Sequence, residues 1–190
     1  METDLRQRLL HSDPNITVSM IMHNAAPVNL PSWLINTVWP MAITWGHNRN
    51  WGLSYTLGVD STLTLGHVRG HHIGTNPTAL GLSEEAALII MCLELQGVIL
   101  HETGHAVLDA AQKADPDITE LLDLFDTVAL PSTYKGHGLL NGYDRHHECF
   151  AETFRWYAVN RSQIDTDFPE AAQLVHIALA ACTYTGEFNA

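Results

Sequence analysis

Basic residues are scarce in this chain: nine Lys and Arg stand against 21 Asp and Glu, a formal charge of -12 over 190 residues. A phosphate backbone is bound by a surplus of positive charge on some face, so this balance argues against a nucleic-acid partner. Cysteine is equally sparse. Cys92, Cys149 and Cys182 form an odd set with no C-x-x-C spacing, which excludes a zinc-finger framework and points to reduced thiols in a cytosol-like compartment. Long apolar runs are missing too. The longest, Ala86 to Leu100, is interrupted by Glu94, Gln96 and Gly97 and falls short of the roughly 20 residues that cross a bilayer. A buried helix is expected there rather than a membrane span. The opening residues, "METDLRQRLLHSDPN", never develop the apolar central segment of a secretory signal. The expected location is cytoplasmic, or one reached by delivery without a signal peptide.

What is present fits one domain with an ordinary core, since 46% of the residues are apolar. From Ile16 to about Pro77 the texture is β-branched and aromatic: "NITVSMIMH", "LINTVWP" and "GLSYTLGVDSTLTLGHVRGHHIG", divided by Pro, Gly and Asn, read as strands. After Ser83 alanine, leucine and glutamate take over. Ser83 before Glu84 and Glu85 is a hydroxyl cap with acids in the first turn, and helical periodicity continues to about Ala111, with Gly97 a place for a bend. "DPDITELLDLFDTVA", "DRHHECFAETFRWYAVN" and "FPEAAQLVHIALAACTY" read as three further helices, and "LPSTYKGHGLLNGY" as a loop. A strand-rich part over 16–77 and a helical part over 83–185 follow.

The chain is rich in one residue, with twelve histidines. Two of them belong to "GVILHETGHAVLDAA", which holds an HExxH pattern: His101, Glu102 and His105. On a helix, positions i and i+4 share a face, so both imidazoles can meet one ion while Glu102 sits beside it. Zinc takes such nitrogens at about 2.0–2.1 Å, and a neighbouring carboxylate is placed to accept a proton from water. With twelve histidines and ten glutamates, random placement would give the pattern about 4% of the time. Its helical setting between "VIL" and "AVL" adds weight, because a buried pair of imidazoles with no ion would need other partners. Gly104, inside the pattern, is a small residue past which a strand or ligand can run close. A third ligand is then required. The metzincin continuation is excluded, because Leu108 and Ala111 stand where Gly and His would be. "YDRHHECFAETFRWY" offers Glu148 and Glu152, again four apart. One can ligate while the other hydrogen-bonds a ligand histidine and fixes its tautomer. Against this stands a solvated helix face with Arg145 and Arg155, a view weakened by Phe150, Phe154 and Trp156.

"LHETGHAVLD" followed 43 residues after the second histidine by "ECFAETF" resembles the anthrax lethal factor-type zinc peptidases, a gluzincin group that includes the Pro-Pro endopeptidases. The family form E-x-F-A-E-x-F matches at Glu148, Phe150, Ala151, Glu152 and Phe154. The resemblance covers about Gly97 to Tyr157. It implies His101, His105 and Glu148 as ligands of one Zn2+, Glu102 as general base and Glu152 as the supporting carboxylate. It also implies an oxyanion-binding tyrosine, for which Tyr143 is the first candidate and Tyr134 the second. Leu108 departs from the family, where relatives often carry Asp; here the acid is Asp109. The implied fold is α+β and zincin-like, a small and mostly antiparallel sheet packed on a long HExxH helix with further helices behind. The implied activity is zinc-dependent hydrolysis of a protein or peptide substrate. A metal-stabilised binding or assembly module of a toxin or virus particle, without proteolysis, is one alternative, and a zinc hydrolase acting on a non-peptide bond is another. Oligomeric state is left open.

"LGHVRGHHIG" would put His67, Arg69 and His71 on one face of a strand and His72 on the other, either lining a cleft or facing water on a sheet edge. Trp33, Trp39, Trp45 and Trp51 recur every six residues. They read as core or cleft-rim aromatics, since Pro40 breaks any single strand. His146 and His147 compete for the metal in principle but point away from the Glu148 face of a helix.

Overall fold

Helical spacing outweighs β-branched composition in the N-terminal third. Val18, Ile21 and Met22 are three and four apart, Leu34 and Val38 are four apart, and all five are buried. In the computed structural model, which describes residues 4–45, 63–65, 76–131 and 142–184, these segments are helices: α2 (Val18–Met22) and α3 (Ser32–Val38). An unforeseen α1 (Leu5–Leu10) precedes them, capped by the Asp4 carboxylate, which accepts from the Arg6 backbone N–H at 3.1 Å. Among the described residues the strands are β1 (Ile43–Trp45) and β2 (Leu63–Leu65), paired in parallel with Ile43 opposite Leu63. The expected α+β zincin-like fold is therefore incorrect. The described residues are 73% helix and 4% strand, and among them no antiparallel sheet packs on the HExxH helix. Most of the third expected strand segment lies outside the described residues.

Two compact units divide the described chain. The first takes residues 4–27, 34–45, 63–65 and 76–99, and the second 28–33, 100–131 and 142–184. In the first, the backbone N–H groups of Val18 and Ser19 donate to the Met41 and Trp39 carbonyls, and Ile43 donates to Ile16. A 3-10 turn (Pro77–Leu80) leads to α4 (Glu84–Ala114). Its start is as the sequence indicates: the Ser83 hydroxyl accepts from Ala86 N–H at 3.1 Å, and Glu84 and Glu85 occupy the first turn. Buried Gln96 anchors this half of α4 by donating to the Ala26 carbonyl at 2.6 Å. At 31 residues, α4 passes by length and composition as a helix able to cross a membrane, although half of the apolar window concerned is buried within the protein.

The second unit begins with the remainder of α4 and continues through α5 (Ile118–Leu121), a 3-10 turn (Leu122–Asp126), α6 (Gly142–Asp167) and α7 (Pro169–Tyr184). A kink at Asn160, φ -132° and ψ 40°, interrupts α6. Proline at the first position of α7 costs no helical hydrogen bond. The core is Val107, Leu108 and Ala111 of α4, Phe150, Phe154 and Tyr157 of α6, and Ala171, Val175, Ala178 and Cys182 of α7. Phe125 meets Phe150 edge to face at 6.4 Å. All three cysteines are buried. The tryptophans do not share an extended face, since Trp33 is on α3, Trp39 just follows it, and Trp45 on β1 donates its N–H to the Asp13 carbonyl. Trp51 lies outside the described residues.

Candidate metal centre

Helix geometry sets the first two candidate ligands. His101 and His105 stand one turn apart on α4 with their rings edge to face, centroids 4.9 Å apart and Nε2 atoms 3.2 Å apart. The second helix reaches them because of Gly104. A Cβ there would lie 2.8 Å from Ala151 Cα and 3.1 Å from both the Ala151 carbonyl oxygen and Phe154 Cβ, so α4 and α6 touch where no side chain fits. The closest obstacles are backbone and cannot swing aside. Gly104→Ala is accordingly expected to destabilise the metal-free chain by about 1–3 kcal/mol and to weaken metal binding with it. Thermal melts and zinc titrations check this. An unchanged melting temperature would mean that the helix contact does not control the site.

This contact brings Glu148 over the histidines. Its Oε2 is 3.2 Å from His101 Nε2 and its Oε1 is 3.5 Å from His105 Nε2. One donor atom from each of the three residues can be chosen so that all lie within 4.8 Å of one another. Ligands 2.0–2.1 Å from a tetrahedral zinc are separated by about 3.3 Å, close to the contacts seen here. Two imidazoles and one carboxylate are also a donor set that zinc takes in hydrolytic sites, leaving a fourth position open. Among the described residues, this is the one group of three or more His, Cys, Asp or Glu side chains so arranged.

Glu152, one turn beyond Glu148, supports the ring from behind. Only 7% exposed, it places Oε2 3.4 Å from His101 Nδ1, while its Oε1 accepts the Trp156 indole N–H at 3.2 Å. Arg155 Nη1 is 3.5 Å from Oε2. Carboxylates thus face both ring nitrogens of His101; in the neutral imidazole that ligation requires, Glu152 would hold the proton on Nδ1 and leave Nε2 to a metal. Aromatic composition marks Trp156 as part of a buried helix but does not connect it with the site. The usable signal is its spacing, four residues beyond Glu152. His146 turns elsewhere: it is buried, with Nε2 3.1 Å and Nδ1 3.6 Å from carboxylates of Asp126 and Asp123, and Arg145 also pairs with Asp126.

The charges are strongly coupled. Burial alone would lower the His101 pKa, but the Glu148 and Glu152 carboxylates outweigh it and raise the value from 6.5 to about 9. The same imidazoles hold Glu148 well below the ordinary carboxylate range. Glu102, 8% exposed, shifts the other way: burial raises it, against the pull of His105 and His101. The linkage signs follow. His101 contributes stability to the metal-free chain that is complete below its ordinary 6.5 and is lost as pH rises through about 9. Glu148 contributes stability that is present above 4.5 and is lost as pH falls through its depressed value. Ligation requires a neutral imidazole, so zinc binding at pH 7 is expected to release about one proton from His101, and almost none above about pH 10. Titration calorimetry in buffers of different ionisation enthalpy measures the release. A value near zero at pH 7 would contradict this coupling.

Of the remaining expected residues, Tyr143 lies in the first turn of α6, but its side chain, like Tyr134, His67, His71 and His72, lies outside what is described. Leu108 is buried in the core and Asp109 is exposed. No family model matches the chain, and no curated protein or solved structure is significantly similar to it.

Proposed function

We propose that this chain is a zinc-dependent endopeptidase in which His101, His105 and Glu148 hold the metal and Glu102 is the general base. The observation that carries this reading is the convergence of three donor groups from two helices, with the buried Glu102 carboxylate between the two histidines in the sequence. Bound zinc would polarise a substrate carbonyl and make hydroxide available near neutral pH. Glu102, its proton affinity raised by burial, accepts a proton from the attacking water and passes it to the departing amine. Glu152 keeps His101 in the tautomer whose Nε2 faces Glu148. By its resemblance to the lethal factor-type peptidases, Tyr143 donates a hydrogen bond to the developing oxyanion, with Tyr134 the second choice. Peptides are the substrate class because the resemblance points to them; the fold carries no part of this argument.

A mixture of peptides incubated with the zinc-loaded chain and read by mass spectrometry tests the proposal. Cleavage at a restricted set of bonds, stopped by a chelator and restored by zinc, is expected. If the chain binds zinc and unfolds on its removal, yet no peptide or protein substrate is cut, the metal-stabilised module replaces the peptidase.

A further inference from the structure

We infer that Trp156 is a positioning residue for this centre, acting through Glu152; the inference rests on the zinc reading above. Glu148, Glu152 and Trp156 succeed one another at four-residue intervals, so three consecutive turns of α6 present one face. The two oxygens of Glu152 are used differently. Oε1 accepts the Trp156 indole N–H at 3.2 Å, and Oε2 is the oxygen near His101 Nδ1, at 3.4 Å. The terminal torsion of a glutamate is broad and has no strong preference of its own. A donor fixed on Oε1 therefore orients the carboxylate so that Oε2 meets the imidazole.

Indole is suited to this task. It carries one N–H, has no acceptor, and has a large apolar body that is half-buried here. Arg155 does not substitute for it. Its guanidinium approaches Oε2, the oxygen facing His101, from a side chain 39% exposed, where solvent screens the pair. The hydrogen-bonded series Trp156 to Glu152 to His101 thus extends the centre one residue beyond the carboxylate that supports the ligand.

Zinc affinities of the native chain, Trp156→Phe, Glu152→Gln and the double variant, measured by competition with a chelating dye, test the inference. Loss of a partner that supports a ligand costs about 10–100-fold in metal affinity, so Glu152→Gln should fall in that range. Trp156→Phe, which keeps the ring but not the N–H, should weaken binding by the lower end of it, about 10-fold. In the Glu152→Gln background the same change should have almost no effect, and Trp156→His, which restores a ring N–H, should recover part of the loss. Equal losses in both backgrounds, or no loss in Trp156→Phe, would overturn the positioning role while leaving the zinc site intact. A native chain that binds no zinc would overturn both. If Trp156→Phe fails to fold, the Trp156 indole N–H resonance of the native chain decides: it should shift in Glu152→Gln, and an unchanged resonance would overturn the inference.

Discussion

Replacing Glu102 with Gln is expected to lower kcat/KM on any peptide the chain cleaves by about 10²–10⁴-fold, the range that a positioned general base contributes. Zinc content should stay unchanged, because Glu102 is not among the three converging donors. Stability gives an independent readout with the opposite sign. Burial raises the Glu102 pKa above its ordinary 4.5, so the ionised carboxylate at neutral pH is held in the fold at a cost. A neutral amide of the same shape removes that cost. The metal-free variant should therefore melt at the same temperature as the native chain or higher, an inactive protein no less stable than its parent. Retained activity in Glu102→Gln would remove Glu102 from the chemistry.

Zinc should raise the melting temperature of the native chain and leave Glu148→Ala unmoved. Free zinc at about 100 times its dissociation constant adds about 2.7 kcal/mol, which for a chain of this size corresponds to about 5–10 °C. Glu148 is the α6 carboxylate that lies near both histidines of α4, and without it the metal would no longer join the helices. The metal-free variant should itself be less stable at pH 7, since His101 loses the first of the carboxylates that keep it protonated. An equal zinc-induced shift in native and variant chains would place the metal elsewhere.

The site is more legible in the sequence than the fold. His101 pairs with His105, and Glu148 with Glu152, on spacing alone because helical geometry is rigid: residues four apart share a face whatever the helix packs against. The start of α4 is equally readable, since Ser83, Glu84 and Glu85 act through local hydrogen bonding and charge. The N-terminal segments mislead when β-branched content is given more weight than period. "NITVSMIMH" and "LINTVWP" carry strand-like residues, yet their buried positions repeat at three and four. Such short helices are decided by what they pack against. Gly104 suggests a place for a strand or ligand to pass, but α6 occupies it. Only the three-dimensional contact identifies which neighbour an absent side chain admits.

The central claim is that His101, His105 and Glu148 hold one zinc ion, and metal content per chain tests it most directly. Protein purified without added metal is measured by elemental analysis, with Glu148→Ala and Glu102→Gln prepared in parallel. About one zinc in the native chain and in Glu102→Gln, with little in Glu148→Ala, is the predicted result. No zinc in any of the three, even after incubation with the ion, would contradict it and reduce the cluster to imidazoles and carboxylates hydrogen-bonded between two helices.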